Sequence, residues 1–391
     1  KRGAAGAVVF EEEIGDSFDE GQTGPGFAIE VFNVLGAGDG FMSGLLKGWL
    51  DGEDWPTVLK YANACGAFAV SRHGCTPAYP SWEELQFFFD YQIKRPDLRN
   101  DVLLEQVHWA TNRHFDWAEL KIFAFDHRSQ MEEMQGAKAR NIGKFKSLCL
   151  QAALRVAGGE RGFGILCDSR LGQEALFTAA DSCLWVGQPA ELPSSRPLEV
   201  EPALGADFGG LAEWPRDQVV KVLCFCHPDD DDELWKRQIQ TVKRLFEASR
   251  RNQLEFLLEV IPSKAGEVDD MTTALVVQRF YDEGIFPDWW KLEPLLTDAA
   301  WRNVIATIER NDAHARGIVI LGLGETEEKL ARSFSIAATY PLVKGFAVGR
   351  TIFADVAQQW FLGAKTDAEA IDEMAKNYEK LCRIWDKAKN A

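Results

Sequence analysis

The stretch VVKVLCF (219–225), followed by DDDDELWKRQIQTVKRLFEASRR (229–251), decides how the fold is read. The first piece is an apolar run of strand length. The second is an amphipathic helical stretch whose acidic start suits the positive end of a helix dipole. The same rhythm extends in both directions. Strand-like runs occur at LKIFAFD (120–126), GFGILCD (162–168), LEFLLEV (254–260), DWWKLEP (288–294), GIVILGLG (317–324) and GFAVGR (345–350), with a weaker one at SCLWVG (182–187). From 219–225 onward, each run is followed by a helix-like segment. Strand–helix alternation implies a parallel sheet with helical crossovers. Eight units over roughly 270 residues match a (β/α)8 TIM barrel, for which about 250 residues is typical. A doubly wound open sheet is the alternative, but regular units with polar residues at the strand ends favour the closed barrel.

A chain of 391 residues is expected to hold two domains. Residues 1–90 read as short strands (AVVFEE, 7–12; GFAIEVF, 26–32), a Gly-rich turn and helices. The polar, Pro-containing YQIKRPDLRND (91–101) reads as a linker, and a helix follows from Leu103 to Arg113. The domains are therefore placed at 1–95 and 96–391. The chain opens at Lys1 in what reads as mid-fold, so a fragment of a longer protein is expected. The formal net charge of -17 argues against a nucleic-acid footprint. No run is apolar and long enough for a membrane span, and no secretory pattern is present. Eight cysteines without CxxC pairs, several of them inside apolar runs (Cys167, Cys183, Cys224, Cys226), read as buried thiols of a reducing, cytoplasmic compartment.

A barrel of this kind carries its active site at the C-terminal strand ends. Those ends supply Asp126, Asp168, Lys221, Glu259, Lys291, Glu293, Gly322, Gly324, Gly349 and Arg350. Lys291 lies between Trp290 and Leu292 on a strongly apolar strand. A lysine there is seldom buried unless paired or used. Its plain structural reading is a snorkelling lysine or one paired with Glu293 or Glu259. Its functional reading is an amine made nucleophilic by burial. Lys221, also inside an apolar strand, tips the balance, because two interior lysines facing carboxylates form a polar constellation in which each is expected to lower the other's pKa. Asp126 reads as an acid/base or as a helix cap. The GLGE (322–325) and VGRT (348–351) strand ends suit a phosphate at the seventh and eighth strands, with Arg350 as clamp, the backbone of Gly322, Gly324 and Gly349 approaching closely, and Asp168 joining the substrate-binding set. Asp229–Asp232 reads as a helix's first turn, not a metal site. His127 and His227 are too few for a zinc centre, so no metal is expected.

FAFDHR (123–128), ILCDSRLGQEAL (165–176), VKVLCF (220–225), FLLEV (256–260), WWKLEP (289–294) and FAVGRTIF (346–353), taken in order, resemble the class I tagatose-bisphosphate aldolase-like barrels. They look more like the aldolase-like domain (DUF2090) fused behind inositol-catabolism sugar kinases. The resemblance implies a Schiff-base role for Lys291, acid/base work for Asp126, a site lined by Lys221 and Glu259, phosphate at Arg350, and no cofactor for the aldolase. NVLGAGDGFMSG (33–44) resembles the second signature of the ribokinase-like (PfkB) kinases, and NACGAFAVSRHG (63–74) their nucleotide-facing helix. That implies an anion hole at Gly36, Ala37 and Gly38, Asp39 as base, Asn63 beside the nucleotide, and ATP with Mg if the kinase domain is complete. The expected whole is a (β/α)8 barrel behind the C-terminal fragment of a ribokinase-like α/β domain.

The resemblance further implies a small sugar-acid phosphate as partner, no nucleic acid or membrane, and compatibility with a homo-oligomer. It points to cleavage of 5-dehydro-2-deoxygluconate 6-phosphate. Three alternatives stand: a sugar kinase with an accessory barrel, a non-catalytic sugar-phosphate binder, and a metal-dependent aldolase. Because the sugar-binding half of such kinases lies upstream of residue 33, this chain is expected to show no ATP-dependent phosphorylation of 5-dehydro-2-deoxygluconate. Measurable turnover in a coupled ADP-release assay contradicts that.

Overall fold

The computed structural model describes residues 1–91, 95–113 and 115–391. Residues 92–94 of the expected linker lie outside that set. The chain forms two compact units, Lys1–Phe115 and Asp116–Ala391. In the first, β1 (Ala7–Val9) pairs antiparallel with β2 (Gln22–Gly24). Four helices follow: α1 (Ala37–Leu50), α2 (Trp55–Ser71), α3 (Trp82–Asp90) and α4 (Val102–Thr111). GFAIEVF (26–32), expected as a strand, is none. A strand needs a neighbour in register, and here Glu30 N donates to Pro96 O at 2.8 Å while Phe32 N donates to Val70 O at 2.7 Å. The sequence puts the domain boundary at 95/96, whereas the compact units divide at 115/116. Helix α4 stays with the first unit because Glu105 pairs with Arg72 at 2.6 Å and His108 with Glu84 at 2.7 Å.

The second unit is the expected barrel. Its elements are β3 (Leu120–Ala124), α5 (Ser129–Glu132), α6 (Ala139–Ala157), β4 (Phe163–Leu166), α7 (Ser169–Ala179), β5 (Trp185–Pro189), β6 (Gln218–Cys224), α8 (Asp232–Arg251), β7 (Glu255–Val260), α9 (Thr272–Asp282), β8 (Trp289–Leu292), α10 (Asp298–Asn311), β9 (Gly317–Leu321), α11 (Glu327–Ala337), β10 (Val343–Val348), α12 (Arg350–Phe361) and α13 (Asp367–Lys389). All eight strands are parallel to their neighbours, and β10 pairs with β3 to close the ring.

Strand residues alternate between two apolar layers, as the pleat requires. Ile122, Leu166, Trp185, Leu257, Trp289 and Val319 fill the barrel interior. Phe123, Ile165, Val220, Phe256, Trp290 and Ile320 pack outward under the helices. With both faces covered, the strands read as continuous apolar runs. Of the acidic run 229–232, expected as a helix's first turn, only Asp232 lies within α8; Asp231 caps the helix, accepting from Leu234 N at 2.9 Å, and Asp230 pairs with Arg196 ahead of it. One unit departs from the regular pattern. The crossover from β5 to β6 contains no α-helix, only short 3-10 turns at Pro202–Leu204 and Gly209–Glu213.

Lys146 on α6 is fully buried and pairs with Asp168 at the start of α7, also donating to His127 O at 3.0 Å. Removing one partner of a buried pair strands the other charge. Lys146→Met is expected to destabilise the barrel by about 3–5 kcal/mol, seen as a lower urea midpoint, and Asp168→Asn in the same chain to recover part of the loss.

Candidate active site

Inward-facing positions on the strands are Ile122 and Ala124 on β3, Val219 on β6, Leu257 on β7 and Trp289 on β8. Counting on by twos places Asp126, Lys221, Glu259, Lys291 and Glu293 on the same interior face, toward the C-terminal ends. Glu259 and Lys291 are register partners across β7 and β8. Their side chains meet accordingly, Lys291 Nζ lying 2.9 Å from Glu259 Oε1. Lys221 Nζ lies 2.9 Å from Glu259 Oε2, 3.2 Å from Asp126 Oδ2 and 2.8 Å from Glu191 Oε1. Lys291 is 5% exposed and Lys221 3%. The strands thus bring four of the sequence-derived residues, Asp126, Lys221, Glu259 and Lys291, into one connected cluster.

The charges hold one another. Burial opposes the ammonium of Lys221, but Glu191, Glu259 and Asp126 outweigh it and keep its pKa above the ordinary lysine value. The expectation that each lysine lowers the other's pKa therefore fails at Lys221, where three carboxylates face one amine. Burial likewise opposes ionisation of Asp126 and Glu259, and Lys221 with Lys291 reverses it, leaving both below the usual carboxylate range. Glu293 turns away from the lysines to Ser263, whose backbone N lies 3.2 Å from Oε1. Burial raises its pKa, and the Ser263 hydrogen bonds offset this in part.

The phosphate-type residues gather at the next strand ends. Gly349 precedes α12, and a Cβ there would sit 2.1 Å from Ala124 O, so only glycine lets this turn pass the end of β3. A Cβ on Gly324 would lie 3.1 Å from Arg350 Cζ, which puts the turn after β9 against an exposed guanidinium. Gly322 abuts Val348. Asp168 stands apart from this set: it caps α7 through Leu171 N at 2.8 Å and pairs with Lys146, so both its oxygens are engaged in the scaffold.

In the first unit, Gly36 begins α1 in the left-handed region (φ 80°), with Ala37 and Gly38 behind it and no side chain capping the helix. Asp39 is exposed in the first turn. Asn63 lies on α2, half-buried, its Nδ2 without a hydrogen-bond partner. A helix start without a side-chain cap leaves backbone N–H groups turned toward whatever anion approaches it. Among the described residues, no group of three or more His, Cys, Asp or Glu side chains is arranged to hold a metal ion. No helix among them is long and apolar enough to cross a membrane.

Glu191, Arg128 and His127 join the site without having been assigned to it from sequence. Glu191 follows the weakest strand and sits in the helix-free crossover, where no periodicity marks a functional side chain. Arg128 and His127 follow Asp126 directly, and adjacency was their only signal. The His127 ring packs edge-on against Phe353, and its Nδ1 is buried without a partner, 3.9 Å from Asp126.

Burial, aided by Lys291, Arg350 and Lys146 and opposed by Asp126, lowers the His127 pKa from 6.5 to about 4. Between those values the unfolded chain takes up a proton that the folded one refuses, so stability falls as pH drops through the window. The lowered carboxylates act in the same direction, but only below their ordinary values near pH 4. His127→Gln is therefore expected to remove about 2 kcal/mol of the stability loss between pH 6.5 and 4.5. Urea titrations of both proteins at the two pH values check this.

Residues 1–82 match the pfkB family of carbohydrate kinases. The 5-dehydro-2-deoxygluconokinase of Bacillus subtilis is 30% identical over 94 residues, covering 23% of this chain and 29% of that protein. The enzyme of the same description from Geobacillus thermodenitrificans is 25% identical over 100 residues, 26% of this chain and 28% of that one. An ATP-dependent ribose-1-phosphate kinase of Halopiger xanaduensis is 43% identical over 54 residues, 14% of this chain and 18% of that one. The chain thus spans less than a third of the length of these curated relatives. The solved structure of Cgl0159 from Corynebacterium glutamicum is 14% identical, covering 77% of this chain and 98% of that one, with a TM-score of 0.45. Residues 84–389 match the family described as "uncharacterized protein conserved in bacteria (DUF2090)". Behind its pfkB-type segment, the chain belongs to the DUF2090 family.

Proposed function

We propose that the barrel is a class I aldolase that cleaves 5-dehydro-2-deoxygluconate 6-phosphate to dihydroxyacetone phosphate and malonate semialdehyde. The observation that carries this reading is the buried Lys291 on the sixth barrel strand, in contact with Glu259 and beside a second lysine fixed among carboxylates. The substrate follows from the fused kinase segment and from the relatives named for 5-dehydro-2-deoxygluconate, whose 6-phosphate such a kinase would supply. Inositol catabolism in the cytoplasm is the matching context. ATP and Mg belong to the kinase when complete, with Gly36, Ala37, Gly38 and Asn63 toward the nucleotide and Asp39 toward the substrate hydroxyl.

Glu259 takes a proton from the Lys291 ammonium, and the free amine adds to the C5 ketone. The carbinolamine loses water, its oxygen leaving with a proton, to give the iminium ion. Asp126 removes the proton from the C3 hydroxyl. The C3–C4 bond then breaks, its electron pair moves into the iminium to form an enamine, and C3 departs as the aldehyde. Protonation at C4 and hydrolysis return the amine and release dihydroxyacetone phosphate. Lys221 orients the oxygen being lost. Arg350 and the backbone at Gly322, Gly324 and Gly349 hold the phosphate.

The kinase names of the relatives favour a second reading, in which the barrel is an accessory domain. A coupled assay of dihydroxyacetone phosphate release separates the two. The aldolase reading expects turnover unaffected by EDTA, lost by at least about 10³-fold in Lys291→Met and by about 10²-fold in Lys221→Met. Full activity in Lys291→Met, or no release by the wild type, sinks it.

A further inference from the structure

The helix-free crossover after β5 begins with a short hairpin, residues 190–201. Leu192 N donates to Glu199 O at 2.8 Å and Glu201 N to Ala190 O at 2.9 Å. Arg128, just beyond the end of β3, grips both limbs. It donates to Glu191 O at 2.8 Å, to Glu191 Oε1 at 2.9 Å and to Glu201 Oε1 at 2.8 Å. Glu191 in turn faces the reacting cluster: Oε1 also accepts from Lys221 Nζ at 2.8 Å, and Oε2 accepts from Leu223 N at 3.2 Å. Arg128, Glu191 and Lys221 are all buried.

We infer that Glu191 is a positioning residue for Lys221, with Arg128 fixing Glu191, so that the hairpin 190–201 is part of the catalytic apparatus. The inference takes its chemistry from the proposed aldolase reading. An ammonium has three donor hydrogens, and that of Lys221 meets three carboxylates from three parts of the barrel: Asp126 after β3, Glu191 after β5 and Glu259 on β7. Two of these, Asp126 and Glu259, exchange protons during turnover, and Glu259 also holds Lys291. Their grip on Lys221 therefore changes within each cycle. Glu191 is tied instead to a guanidinium that does not titrate and to a backbone amide. It is the contact that persists while the other two change.

The test is a crystal structure of Glu191→Gln together with its steady-state kinetics. Lys221 Nζ is expected to leave its place between Asp126 and Glu259 by more than about 1 Å, a misplacement worth up to about 10²-fold in rate. Correspondingly, kcat for dihydroxyacetone phosphate release is expected to fall about 10- to 100-fold with KM changed less than about threefold. Lys221 unmoved, or KM raised with kcat intact, overturns the inference. Lys221 displaced while wild-type protein shows no cleavage leaves the positioning role standing and removes the aldolase reading. If Glu191→Gln does not fold, Arg128→Gln, which frees Glu191 without removing its charge, is read by the same two criteria.

Discussion

Glu259 sits between two buried lysines, one on each side of it in the ring of strands, and the site depends on that arrangement. Its Oε1 holds Lys291 and its Oε2 faces Lys221, each at 2.9 Å. Two ammonium groups in a closed barrel would be expensive alone. They are tolerated because carboxylates from β3, β5 and β7 converge on the same point. The parallel register that places Glu259 opposite Lys291 therefore builds the ion-pair cluster as well as the sheet. A one-residue slip of β8 would turn Lys291 outward among the helices.

The barrel was legible because its strands are apolar on both faces, so seven of the eight stand out as runs bounded by polar ends and the third, SCLWVG (182–187), shows more weakly. The charged residues that interrupt those runs, Lys221, Glu259 and Lys291, were legible for the same reason: a charge inside an apolar strand needs an explanation. Asp126 was ambiguous between chemistry and capping, and the structure brings it to Lys221. Asp168, read from sequence as part of the substrate-binding set, is engaged as a cap paired to Lys146. Identical local signals, an Asp at a strand end, thus lead to different places according to what faces them.

What the sequence did not display lies where no period applies. Glu191 and Arg128 act from loops, and their importance comes from contacts 63 residues apart in the chain. The same limit explains GFAIEVF (26–32), whose apolar, strand-length run is strand-like but whose backbone pairs with Pro96 and Val70 instead of a strand. The mutual depression expected of two lysines also fails at Lys221, where carboxylates, Glu191 among them, outweigh like-charge repulsion. The carboxylate that shifts the balance furthest, Glu191, lies in the segment that was hardest to read.

The proposed cleavage begins with Lys291 as the nucleophile. Incubating the protein with dihydroxyacetone phosphate and sodium borohydride, then mapping peptides by mass spectrometry, tests it most directly. A reduced adduct confined to the peptide carrying Lys291, absent in Lys291→Met, is the predicted result. An unmodified Lys291, or an adduct on Lys221 instead, would contradict it.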